Sequence, residues 1–151
     1  MTTIGQNGSR FLRQLDILPP EKLTFPITVI GAGAIGSAAV VTLAKMGCSN
    51  IAVWDDDTLE EKNVSNQMCF ADMEGAAKVD GLYELVQRTS GIDIRAKSAR
   101  YQGQPLSGLV IAATDSMDSR KTIWTTCKYN ARVPLLIDAR MGAEFARIYC
   151  I

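Results

Sequence analysis

Apolar residues in this chain fall in short runs separated by longer mixed stretches, and that alternation sets the expected elements. Residues 25–30, Phe-Pro-Ile-Thr-Val-Ile, form a β-branched run bounded by Pro26 and Gly31, the pattern of a buried strand. Residues 34–46 follow, rich in Ala, Val, Leu and Ile with no breaker but Gly36, and Gly47 stands where a glycine commonly ends a helix. Residues 51–55, Ile-Ala-Val-Trp-Asp, give a second buried strand. Beyond a polar stretch, the pattern predicts a helix over 78–87, a third strand over 93–99, a fourth over 109–113, a helix over 119–130 and a fifth strand over 134–138. A last run, 146–151, alternates weakly and begins a further strand. Strands alternating with helices predict an α/β fold with a mostly parallel sheet covered on both faces. Ahead of it, Phe11, Leu12, Leu15, Ile17 and Leu18 fit an amphipathic helix that Pro19-Pro20 ends.

The turn between the first strand and the first helix carries candidate chemistry. Gly31-Ala32-Gly33-Ala34-Ile35-Gly36 reads G-x-G-x-x-G. In such a turn Gly31 permits the tight bend, Gly33 lets a phosphate approach the backbone and Gly36 lets helix and strand pack closely. The helix N-terminus at Ala34 offers free N–H groups to an anion. Asp55, about twenty residues on, ends the second strand where a ribose hydroxyl would lie. The plainer alternatives are a glycine-rich turn without a ligand and an Asp that merely forms a turn. To this point the Rossmann-like pattern serves an NAD-dependent oxidoreductase and an ATP-using enzyme equally.

The segment from 57 to 67 separates them, because Asp57, Glu60, Glu61, Lys62, Asn63, Ser65, Asn66 and Gln67 offer more side-chain hydrogen-bonding groups than solvent contact requires. Five motifs now stand in order: Gly31 to Gly36, Asp55 to Leu59, Asn63 to Gln67, Gly75-Ala76-Ala77-Lys78-Val79, and Thr114-Asp115-Ser116. In this arrangement, from about Arg10 to the C-terminus, the chain resembles the ThiF, MoeB and HesA family, bacterial relatives of ubiquitin-activating E1 enzymes. The resemblance implies an E1-like nucleotide-binding fold and an ATP-dependent adenylyltransferase that activates the C-terminal carboxylate of a ubiquitin-like or sulfur-carrier protein. Such a step needs no general base, since the carboxylate is ionised at neutral pH; positioning and neutralisation of phosphate charge suffice.

Carried over by position, Asp55 would hold the ATP ribose, with Asp57 beside it, Asn63 and Gln67 would lie along the nucleotide, Lys78 would neutralise phosphate charge and Asp115 would bind Mg²⁺. Arg10-Phe11-Leu12-Arg13-Gln14 resembles an R-x-x-R-Q arm that reaches the partner's phosphates in a homodimer, which makes Arg13 a candidate acting in trans. One position departs from the family: an arginine before the glutamine is Asn66 here. Asn66 can still hydrogen-bond a phosphate oxygen but brings no charge, which favours binding over activity. Arg120 or Arg140 is a candidate replacement charge, although each is equally explained as a helix-surface or strand-end residue. A nucleotide-binding protein without catalysis and an NAD-binding oxidoreductase therefore stay open as alternatives. The resemblance also divides the chain into an arm, 1–20, and an ATP-binding domain, 21–151. It implies either a fragment or a minimal form that lacks the family's C-terminal half.

Composition narrows the rest. The chain has 151 residues, 47% apolar and 21% charged, enough to bury a sizeable core. It contains no histidine, which excludes Ser-His-Asp and Cys-His catalysis within it. Net charge is formally zero, the pI is 6.2 and no basic stripe is visible, so neither nucleic acid nor an anionic membrane is expected as main partner. There is neither a signal-like N-terminus nor an apolar run near membrane-spanning length, and a cytoplasmic location is expected. Cys48, Cys69, Cys127 and Cys150 are too scattered for a zinc knuckle or redox pair and read as reduced thiols.

Overall fold

The first β-branched run does form a strand, β1 (Ile27–Ile30), buried along its whole length. The computed structural model describes residues 10–151; residues 1–9 of the expected arm lie outside the described residues. After β1 come α1 (Ala34–Met46), β2 (Ile51–Asp55), α2 (Lys78–Ser90), β3 (Arg95–Ser98), β4 (Leu109–Ala112), α3 (Met117–Cys127), β5 (Leu135–Met141) and β6 (Ala146–Cys150). They build a six-stranded sheet in the order β3-β2-β1-β4-β5-β6, parallel except for β6, which pairs antiparallel with β5.

Strand alternation divides the core into two layers. On one face Ile27 and Val29 of β1, Ile51 and Val53 of β2 and Ile111 of β4 meet Val40 and Ala44 of α1 and Val79, Leu82 and Val86 of α2. On the other face Ile30, Val110, Ala112 and Leu136 meet Ile123 and Cys127 of α3. Ile27 and Ile51 have no exposed surface, and burial of each such side chain contributes about 1.5–3 kcal/mol. Helices thus cover both faces, as the alternation predicts.

Several boundaries move for local reasons. Helix α2 runs three residues beyond the expected end, to Ser90, where Gly91 at φ +69° caps it. Helix α3 begins at 117 because the Ser116 hydroxyl accepts the Ser119 N–H at 3.3 Å, and it stops at Cys127, before Tyr129 turns left-handed at φ +60°. Strand β5 is longer than expected because β6 folds back on it through the bond from Gly142 N to Phe145 O, 2.7 Å.

The expected N-terminal amphipathic helix does not form. Residues 10–17 are successive turns, with Gln14 N donating to Phe11 O (2.9 Å) and Ile17 N to Gln14 O (3.0 Å). Leu18 precedes Pro19, which disfavours helical backbone there, and the eight residues left are too few to hold a helix by themselves. Docking decides instead: the Gln14 side-chain amide donates to Leu18 O and, at 2.7 Å, to Met46 O.

Candidate functional site

The C-terminal ends of β1, β2 and β4 frame a cleft of 530 Å³ at the point where the sheet order reverses about β1. Its floor is the glycine turn. Gly31 sits at φ +100°, and a Cβ there would stand 2.6 Å from the Ala113 carbonyl oxygen, so only glycine fits. At Gly36 a Cβ would fall 1.8 Å from Gly31 O, which is the close helix–strand packing the motif predicts. Around Gly33 nothing lies within 4 Å of the Cβ position, leaving the backbone open to the cleft. Helix α1 starts here, and its first internal bond is Ser37 N to Gly33 O, so the N–H groups of Ala34 to Gly36 have no partner within the helix.

Asp55 closes the turn from the side. Its Oδ2 accepts the Ala32 N–H at 2.6 Å and its Oδ1 accepts the Asp57 N–H at 2.9 Å. A carboxylate has further lone pairs, so these bonds orient Asp55 while leaving acceptor capacity toward the cleft.

The polar segment after β2 is held from several sides. Buried Leu59 exchanges backbone bonds with Gly75 and Ala76, and Lys78 N donates to Asp57 O at 3.0 Å. The Lys78 side chain, only 11% exposed, pairs through its Nζ with Asp57 Oδ2 at 2.7 Å. Met68 N donates to the buried Ser37 hydroxyl at 2.9 Å, which fixes the neighbouring Gln67 against α1. Gln67 lines the cleft, and its buried Oε1 has no hydrogen-bond partner among the described residues. An acceptor left in this way fits a ligand that brings a donor.

Of the residues the sequence singles out, Gly31, Gly33, Ala34, Asp55, Asp57, Gln67, Lys78 and Asp115 line the cleft. Asp115 is exposed just past β4, without a hydrogen bond among the described residues. Three expectations differ. Asn63 lies behind the wall: it is buried in a short 3-10 turn, its Oδ1 accepts the Glu60 N–H at 2.9 Å, and its carbonyl accepts Gln67 N at 2.9 Å. It shapes the turn that presents Gln67 and does not itself face the cleft. Asn66 is exposed and outside the cleft lining. Arg13 is exposed among turns that dock on the C-terminal ends of α1 and α2, through Gln14 to Met46 and Arg10 to Ser90 O, at the opposite end of the sheet.

The cleft also holds residues the sequence reading passed over, among them Trp54, Asp56, Arg100 and Tyr101. Trp54 and Tyr101 stack edge to face at 5.7 Å, and Arg100 Nε donates to Asp56 Oδ2 at 3.1 Å. Burial pushes the Tyr101 phenol up from its ordinary pKa. The signal available for Arg100 is its place just past the third strand, since strand C-terminal ends build such sites. Arg120 and Arg140, considered as replacement charges, line the cleft too and share one carboxylate, Asp138. Hydrogen bonding to Asp138 raises the pKa of Arg140 further, so its charge is permanent.

With this geometry in view, comparison with known proteins is decisive: residues 21–143 match the ThiF family. The chain belongs to the ThiF family. It is 29% identical to the molybdopterin-synthase adenylyltransferase of Salmonella typhimurium, over 91% of this chain and 59% of that protein. To the sulfur carrier protein ThiS adenylyltransferase of Escherichia coli it is 26% identical, over 77% of this chain and 49% of the relative. Among solved structures, the ATP complex of the E. coli tRNA N6-threonylcarbamoyladenosine dehydratase TcdA superposes with a TM-score of 0.80 at 22% identity, covering 91% of this chain and 61% of that one. This ThiF-family chain therefore shares the fold of that enzyme, and it spans about half to three-fifths of the curated relatives' length.

Proposed function

We propose that this ThiF-family chain binds ATP with Mg²⁺ and adenylates the C-terminal carboxylate of a ubiquitin-like or sulfur-carrier protein. The observation that carries the reading is the convergence in one cleft of the open Gly33 backbone, Asp55, the unpaired Gln67 acceptor, Lys78 and Asp115. In this reading Asp55 accepts the ribose hydroxyls, the α1 N-terminus receives a phosphate, and Gln67 accepts a donor of the nucleoside. Lys78 exchanges its contact with Asp57 for phosphate oxygens. Asp115 offers a carboxylate oxygen, the donor type Mg²⁺ prefers, and bound Mg²⁺ would supply charge neutralisation on the polyphosphate.

The carrier's carboxylate oxygen forms a bond to the α-phosphorus while the bond from that phosphorus to the bridging oxygen breaks. The electron pair leaves with pyrophosphate, and no proton moves, which suits a site without histidine. Arg13 enters this reading only from a second copy of the chain, as a homodimer, because its own cleft lies at the far end of the sheet. ATP as substrate accords with a cytoplasmic location.

The test is carrier-stimulated exchange of labelled pyrophosphate into ATP, alongside the thermal midpoint with excess ATP·Mg²⁺ or NAD. A ligand at about 100 times its Kd stabilises by roughly 2.7 kcal/mol, a readily measured rise. Exchange in the intact chain, with a rate about 100-fold lower in Lys78→Ala and Asp115→Ala at nearly unchanged melting temperature, is the expected outcome. A rise with ATP·Mg²⁺ but no exchange with any carrier would leave a binding protein, and a rise with NAD alone would move the chain to the oxidoreductases.

A further inference from the structure

Two of the four cations that line the cleft are each matched to one carboxylate, while Asp55 and Asp115 have no cation partner among the described residues. Lys78 meets Asp57 at 2.7 Å and Arg100 meets Asp56 at 3.1 Å. The other two cations, Arg120 and Arg140, share one anion, Asp138, so that this cluster by itself carries one positive charge over. The two arginines are not equivalent. Arg120, 10% exposed, spends its guanidinium on Asp138 Oδ1, Thr114 O and Ala139 O, and so braces α3 against β5. Arg140 is 40% exposed and uses Nε (2.9 Å) and Nη2 (2.5 Å) on Asp138 Oδ2, while its Nη1 has no partner among the described residues.

Asp138 pairs in register with Ala112, the last residue of β4, so Arg140 stands two residues beyond that strand's end, on the same face as Asp138 and against the cleft. Its guanidinium lies 5.0 Å over the Tyr149 ring of β6, so it is held between a carboxylate and an aromatic face. A planar fork fixed on one side with donors left on the other matches phosphate oxygens, and the shared carboxylate cannot neutralise both guanidinium groups at once.

We propose that Arg140 is the cation that binds the β- and γ-phosphates of the nucleoside triphosphate, and that Asp138 is the residue that positions it. The proposal rests on the reading of the cleft as an ATP site and adds to it the source of the positive charge. Lys78 is matched one to one by Asp57, whereas Arg140 shares its carboxylate with Arg120 and keeps Nη1 without a partner among the described residues.

Titration of the intact chain with ATP·Mg²⁺ and with AMP, read by calorimetry, tests this. Arg140→Ala is expected to weaken ATP·Mg²⁺ binding about 10- to 100-fold and to leave AMP binding within about twofold. Arg140→Lys, which restores charge without the fork, should recover part of the ATP loss. Asp138→Asn, which keeps one acceptor oxygen for Arg120 but replaces the oxygen that holds Arg140 with an amide N–H₂ donor, should lower ATP affinity with AMP affinity retained, a selectivity that general destabilisation would not give. Equal ATP binding by the intact chain and Arg140→Ala, or equal losses for ATP and AMP, would overturn the proposal while leaving the ATP reading standing. If the intact chain binds neither nucleotide, the ATP reading fails and the assignment fails with it.

Discussion

At the scale of single residues, Gly36 and Gly108 separate fold from site. A Cβ at Gly36 would lie 1.8 Å from Gly31 O under the cleft, and one at Gly108, at φ +73°, would lie 2.0 Å from Pro26 O at the opposite end of β4. Gly36→Ala and Gly108→Ala should each cost about 3 kcal/mol or more in urea unfolding, since backbone oxygens cannot step aside. Only Gly36→Ala should also disturb nucleotide binding in the residual folded fraction; equal binding losses in both would tie the cleft to general stability. The glycines and Asp55 were legible in the sequence because each answers a steric or spacing demand of the strand–turn–helix unit itself. Arg100 was not, and Arg120 and Arg140 were legible only as candidate charges without their shared partner Asp138, because no spacing rule links residue 56 to residue 100, or residue 120 to residue 138, before the sheet order is known. Asn63 was misplaced for a related reason: a polar side chain in a loop reads alike whether it faces a ligand or bonds its own turn, as it does here with Glu60 N.

Among the elements, helix ends show what local chemistry contributes. Ser116 caps α3 through the Ser119 N–H, whereas α1 and α2 begin at Gly33 and Ala77 without a side-chain cap. Ser116→Ala is therefore expected to lower stability by about 1 kcal/mol, with the loss seen in the urea midpoint and in faster amide exchange at the start of α3. An unchanged midpoint would show that the cap contributes nothing. Strand and helix order was readable from β1 onward, since the interior strands are short, largely apolar runs and α2 has a clear apolar face, although the edge strand β3, Arg-Ala-Lys-Ser, is mostly exposed. Ends were read less well, because Gly91, Ser116 and the β5–β6 return act through bonds that a periodicity does not display. The segment 10–17 has an amphipathic pattern but forms turns, as contacts with the ends of α1 and α2 outweigh a weak helical preference.

For the molecule as a whole, pH stability follows from three buried neutral groups. Burial raises the pKa of Cys48 and Cys127 above the ordinary 9.0 and of Tyr101 above the ordinary 10.0. In the unfolded chain these groups lose their protons first, so the stabilisation they reflect is fully present below about pH 9 and declines as pH rises further. The urea midpoint should therefore be flat with respect to these groups between about pH 7 and 8.5 and fall by pH 10. A midpoint unchanged at pH 10 would remove them as determinants. Among the described residues no helix is long and apolar enough to cross a membrane. Sheet order has one more consequence, which concerns synthesis on the ribosome. Ile27 of β1 pairs with Ile51 on one side and with Leu109 on the other. At about 5–20 residues per second, the roughly 80 residues between β1 and β4 take about 4–16 s to emerge, so one edge of β1 stays bare for that long after the strand is made. The strand most deeply enclosed in the finished protein is the interior strand that waits longest for its second neighbour.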